Sequence, residues 1–210
     1  ANLFGLKEFG NIYSRLGNPT VGALEARLTA LEGGAMSVAL ASGTSAVMYS
    51  LINIMSQGDN FVTASQLYGG TYTMFDNILP EYGINAKKVD ITDLKAVEDS
   101  IDDKTRAVYC ETVTNPGLVV ADVTALSDIA HKHGIPLIVD ATFTTSAIQK
   151  SFEFGADIVV YSLTKWMSGH GRVIAGAVIE KGGFDWGNGN FPLYDKPDTS
   201  YGNMRWGHDL

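Results

Sequence analysis

Apolar residues fall along this chain in short continuous runs, separated from one another by stretches with helical spacing. Val21, Leu24, Leu28 and Leu31 recur on one helical stripe, entered through Asn18-Pro19 and stopped by Gly33-Gly34. A short run at 37–41 and the small-residue step Ser42-Gly43-Thr44 lead into 45–55, apolar nearly all round, which predicts a buried helix. Residues 61–64 predict a strand, 68–71 a loop and 72–79 a helix. The two lysines in 84–89 predict a half-exposed strand, and Leu94, Val97 and Ile101 form the stripe of an otherwise acidic helix. Further strands are predicted at 107–110, 137–140, 158–161 and 174–179. Residues 122–133 predict a helix with Val123, Leu126, Ile129 and Ala130 inward.

Continuous apolar strands alternating with amphipathic helices require a sheet covered on both faces. The fold class is therefore α/β, in three layers, with a mainly parallel sheet. After Ile179 the texture changes, and 184–201, rich in Gly, Asn, Asp, Pro and aromatics, predicts a long ordered loop.

Composition narrows the partners. The chain has 210 residues and a net charge of -8, which argues against a nucleic-acid surface or a basic membrane face. No apolar stretch approaches the ~20 residues a bilayer span needs. The single cysteine, Cys110, fits a reducing compartment, and the first residues carry no signal-peptide pattern, so a cytoplasmic location is expected. No metal site is expected, because His131 and His133 are two apart and point to different sides of a helix. Both ends read as unfinished, as in a fragment or a short chain.

In parallel sheets ligands gather at the carboxyl ends of strands, where the chemistry-bearing residues of this chain lie. Lys165, flanked by Ser162 and Thr164 after an apolar run, stands where a permanent charge is costly. A lysine bound as a neutral amine to an aldehyde cofactor has a reason to be there. Asp140 ends another apolar run, and a carboxylate there can hold the proton of a pyridinium ring. The pair points to pyridoxal phosphate. Ser42-Gly43-Thr44 opens a helix with little bulk and can face a phosphate with backbone N–H groups, helped by the hydroxyls of Ser162 and Thr164. Tyr68, before two glycines, can lie on the ring, and Asn115 can donate to it. Plainer roles stand beside these: Asp140 as a cap, Tyr68 as a cover for the sheet end, Asn115-Pro116 as a turn.

Together, Tyr13-Ser14-Arg15, Ser42-Gly43, Tyr68-Gly69-Gly70-Thr71, Glu111-Thr112 with Asn115-Pro116, Asp140-Ala141-Thr142 and Ser162-Leu163-Thr164-Lys165 resemble the cysteine/methionine-metabolism family of fold-type I pyridoxal-phosphate enzymes. The resemblance implies that Lys165 anchors the cofactor, Asp140 pairs with its ring nitrogen and Tyr68 stacks on the ring and handles protons. It gives the phosphate to Ser42, Gly43, Thr44, Ser162 and Thr164, and the support of the ring to Thr142 and Asn115. It makes 1–18 an arm whose Tyr13 and Arg15 reach a neighbouring subunit's phosphate in a homodimer-based homotetramer. Residues 19–183 become the large cofactor domain and 184–210 an insertion, with the C-terminal small domain and its substrate-gripping arginine outside the sequence.

Gly70 stands where methionine γ-lyases carry a cysteine, and the 183–202 loop resembles an insertion of the O-acetylhomoserine sulfhydrylase branch. The implied reaction is γ-replacement, in which O-acetylhomoserine and sulfide or a thiol give homocysteine or methionine plus acetate. Cystathionine γ-synthase or cystathionine/methionine γ-lyase activity, and a cofactor-binding subunit inactive alone, stay open as alternatives.

Overall fold

A computed structural model describes residues 3, 8 and 10–209 of the chain. It contains a seven-stranded sheet in the order β1-β7-β6-β5-β4-β2-β3, formed by β1 (Met36–Leu40), β2 (Asn60–Ala64), β3 (Asn85–Val89), β4 (Thr105–Glu111), β5 (Leu137–Asp140), β6 (Ile158–Ser162) and β7 (Gly176–Glu180). β7 runs against both of its neighbours, and the other pairs are parallel, so the sheet is mainly parallel with one reversed strand. Every residue of β2 and β4 is buried, as are the first three of β5 and the first four of β6. Strands buried along their whole length need cover on both faces, which confirms the expected three layers.

The helices are α1 (Pro19–Glu32), α2 (Gly43–Ile52), α3 (Gly69–Thr73), α4 (Leu94–Asp99), α5 (Val123–Lys132), α6 (Thr145–Ile148) and α7 (Pro192–Asp195). The starts of α1, α2, α4 and α5 are capped by side chains that satisfy free N–H groups. Asn18 accepts from the Thr20 and Val21 amides, Asp93 from Ala96 and Asp122 from Ala125. Gly33, at φ 81°, ends α1 in the left-handed conformation that a side chain would disfavour. Lys132 sits in the last turn of α5, where its charge complements the helix dipole.

Three elements differ from the sequence expectation. Only Leu28 of the α1 stripe is buried, while Val21, Leu24 and Leu31 are exposed and the inward face is shared with Glu32. Glu32 is tied down by the Tyr161 hydroxyl at 2.6 Å and the Ser151 amide at 2.9 Å. The segment 68–82 is helical earlier than expected, passing from α3 through a π turn (Met74–Ile78) into a 3-10 turn (Leu79–Tyr82). β7 starts at Gly176, leaving Ile174 77% exposed on the preceding loop.

Residues 184–209 are ordered by an aromatic cluster of Phe184, Trp186, Phe191 and Tyr194, with Phe191 fully buried. Asn53, at the end of α2, donates to the Tyr194 hydroxyl at 2.6 Å, and Asn188 and Asn190 donate to the Gly134 carbonyl. The segment is thus fastened to the ends of α2 and α5. None of the helices is long and apolar enough to cross a membrane among the described residues.

Candidate active site

A cavity of about 720 Å³ opens where β4, β5 and β6 end and α2 begins. Its walls include Ser42, Gly43, Thr44, Tyr68, Asn115, Asp140, Thr142, Ser162, Thr164 and Lys165, so ten of the sequence-predicted residues meet there. Glu111 lines it too. Tyr13 and Arg15 do not; both are exposed, with the Arg15 guanidinium 5.3 Å from the Tyr13 ring centroid.

Two glycines bring the backbones together. A Cβ on Gly43 would stand 2.4 Å from the Ser162 Cβ, and one on Gly176 would stand 2.0 Å from the Ser42 carbonyl oxygen. The start of α2 is therefore pressed against the end of β6 and the start of β7. Ser42 caps α2, its hydroxyl accepting from the Ser45 amide at 3.1 Å. Gly43→Ala should lower stability by about 1–3 kcal/mol through overpacking. Thermal unfolding checks this, and an unchanged melting temperature would mean that the contact can relax freely.

Lys165 lies on the loop joining β6 to β7, whose base is closed by the Ser162–Gly176 strand pair. Thr164 braces it, donating its hydroxyl proton to the Ala175 carbonyl at 3.2 Å and accepting from the Ala175 amide at 3.1 Å. That hydroxyl has one proton, and in this arrangement it serves the loop. The sequence argument also leaned on burial at Lys165. The side chain is exposed here and has no ion-pair or hydrogen-bond partner among the described residues.

Asp140 is held from two sides. Its Oδ1 accepts from the Thr142 amide at 2.9 Å and its Oδ2 from the Tyr109 hydroxyl at 3.3 Å. Thr142 in turn accepts from the Ser162 amide at 2.8 Å, linking the ends of β5 and β6. Burial pushes the Asp140 carboxyl above the usual aspartate range despite these bonds. No basic side chain pairs with it among the described residues. Such a carboxylate has lost water without gaining a cation, and a ring N–H⁺ would restore the balance.

Glu111 was missed as a site residue. It ends β4 as Asp140 ends β5, so the same signal, an acid closing an apolar run, marked both. It is buried, with Oε1 accepting from the Tyr68 amide at 2.7 Å and Oε2 from the Asn115 amide at 3.0 Å. Tyr68 and Asn115 themselves are exposed on the cavity rim. No group of three metal-binding side chains is present among the described residues.

A cavity holding a lone lysine, an unpaired carboxylate and a glycine-narrowed helix start suits an aldehyde cofactor bearing a cationic ring and a phosphate. Fold and cavity together define the large domain of a fold-type I pyridoxal-phosphate enzyme. Residues 1–197 match the family model described as Cys/Met metabolism PLP-dependent enzyme. The chain belongs to that family, and its cofactor is pyridoxal phosphate.

An O-acetyl-L-homoserine sulfhydrylase of Leptospira meyeri is 47% identical over 206 residues, which are 98% of this chain and 47% of that protein. A crystal structure of a putative O-acetylhomoserine (thiol)-lyase from Campylobacter jejuni, bearing a pyridoxyl-lysine monophosphate, superposes with a TM-score of 0.93 at 40% identity. It covers 98% of this chain and 52% of its own. A cystathionine gamma-lyase from Lactobacillus plantarum, complexed with L-serine, matches with a TM-score of 0.79 at 39% identity, over 83% of this chain and 46% of its own. The chain spans about half the length of the curated relatives it matches.

Proposed function

We propose that this chain is the cofactor-binding domain of an O-acetylhomoserine sulfhydrylase, which exchanges the acetoxy group of O-acetylhomoserine for sulfide or a thiol. The observation that carries the proposal is the single cavity holding Lys165 and Asp140 in a chain 47% identical to such an enzyme over nearly its whole length. Two details support it. The thiol-lyase structure matches 98% of the chain and the γ-lyase structure 83%. Gly70 stands where the resemblance gives methionine γ-lyases a cysteine, and a Cβ there would stand 2.7 Å from the Tyr68 ring and displace it.

Bound in the cavity, pyridoxal phosphate supplies an electron sink for charge developing on the amino acid. Lys165 would anchor the aldehyde; its amine, once released, would take the Cα proton, pass it on, and only then take a Cβ proton. Both carbons are reprotonated after hydrosulfide has added. Asp140 holds a proton at the ring nitrogen, and Tyr68 covers the ring and moves a proton near the leaving group. Acetate departs from Cγ and hydrosulfide adds to the same carbon, so O-acetylhomoserine plus hydrosulfide gives homocysteine plus acetate. Ser42, Gly43, Thr44 and Ser162 face the phosphate, Thr164 steadies the lysine loop, and Thr142 and Asn115 support the ring. Tyr13 and Arg15, which do not line their own cavity, reach the phosphate of a two-fold partner in a cytoplasmic, homodimer-based homotetramer.

Product analysis separates this reading from its neighbours. With O-acetylhomoserine and sulfide the expected product is homocysteine, and sulfide outcompetes cysteine as second substrate. Cystathionine formed from cysteine in preference would identify a γ-synthase, and oxoacid release from cystathionine a lyase.

A further inference from the structure

We propose that Glu111 is a positioning residue that fixes both walls of the cofactor-ring slot through one carboxylate. The proposal rests on the cofactor reading above and concerns a residue that touches neither ring nor phosphate in it. Tyr68 enters α3 on one wall, and Asn115 begins the turn after β4 on the other. Neither backbone N–H is held by a helix or a strand ladder. Both point at Glu111, one on each oxygen, at 2.7 and 3.0 Å. The carboxylate is buried at the end of a central strand, so its position is set by the sheet and passed to both rims.

The arrangement depends on charge. An ionised carboxylate accepts at both oxygens, whereas a protonated one keeps a good acceptor on only one. One rim is then released. Burial, aided by the nearby charge of Asp140, raises the Glu111 pKa to about 7 against the pull of the two amides. The other titratable groups around it are Tyr109 and Cys110 on its own strand, Tyr68 on the rim and Lys165 across the cavity. Burial pushes Tyr109 and Cys110 upward, which keeps both protonated through neutrality. The slot is therefore held open and rigid above pH 7 and loosens below it.

The amides report this directly in the cofactor-free chain. In ¹⁵N spectra recorded from about pH 5 to 9, Tyr68 and Asn115 should shift together with one midpoint near 7. In Glu111→Gln, which keeps one acceptor and loses the charge, that shared step should vanish and pyridoxal phosphate should bind about tenfold more weakly at pH 8. Glu111→Asp keeps the charge on a shorter stem, and should restore the titration without restoring full affinity. Two amides that titrate separately, or a Gln variant with the affinity and pH profile of wild type, would overturn the proposal. If the Gln variant does not fold, the wild-type amide titration decides alone. Absence of any Lys165-dependent cofactor band in wild type would instead sink the cofactor reading, which the amide titration does not test.

Discussion

Lys165→Ala is expected to leave a folded chain that no longer retains pyridoxal phosphate through dialysis and shows no visible absorption band. Lys165 is the only lysine lining the cavity among the described residues, and the loop that carries it is braced by Thr164 rather than by the lysine itself. Removing an exposed side chain with no partner should therefore cost little stability. In the proposed mechanism the amine is both anchor and proton carrier, and general acid–base transfer alone is worth about 10²–10⁴ in rate. Turnover should fall at least that far. A variant that keeps a covalent band after dialysis would place the anchor on another lysine and reject the assignment.

Asp140→Asn separates structure from chemistry. The amide occupies the same volume but cannot balance a cationic ring nitrogen. A loss of about 4 kcal/mol of charge stabilisation corresponds to roughly a thousandfold in rate. Stability should move differently. A carboxyl whose folded pKa is raised costs the fold increasingly as pH climbs through that pKa, and the cost persists above it. The neutral amide removes this cost and gives up one hydrogen bond. The cofactor-free variant should then melt within about 1 kcal/mol of wild type at pH 8. Near-normal turnover of O-acetylhomoserine and sulfide would make Asp140 a structural residue. Strong destabilisation of the cofactor-free chain would do the same.

The sheet was legible in the sequence because strands buried on both faces leave uninterrupted apolar runs, as at β2, β4, β5 and β6. The reversal of β7 was not, since an apolar run reads the same whichever way its strand points. Helical spacing showed that α1 has an apolar stripe but not what covers it. The described chain covers Leu28 and leaves Val21, Leu24 and Leu31 exposed. In the site, ten of the twelve predicted residues meet in one cavity. Glu111 carried the same mark as Asp140, an acid closing an apolar run, but its role did not show, because its partners are backbone amides and no side-chain pattern encodes that pairing.

The position of β7 also bears on the order of folding. β1 pairs only with β7, Met36 against Glu180, so that edge of the sheet cannot form until most of the chain has been threaded. Contacts this distant in sequence close slowly, because the loop entropy is lost before they contribute. The contact between Gly43 and Ser162, and that between Ser42 and Gly176, depend on this closure. The cradle proposed for the phosphate is thus incomplete in any partly folded species that lacks the β1–β7 pair. On the proposed reading, cofactor binding would select chains that have made this closure and stabilise them by mass action.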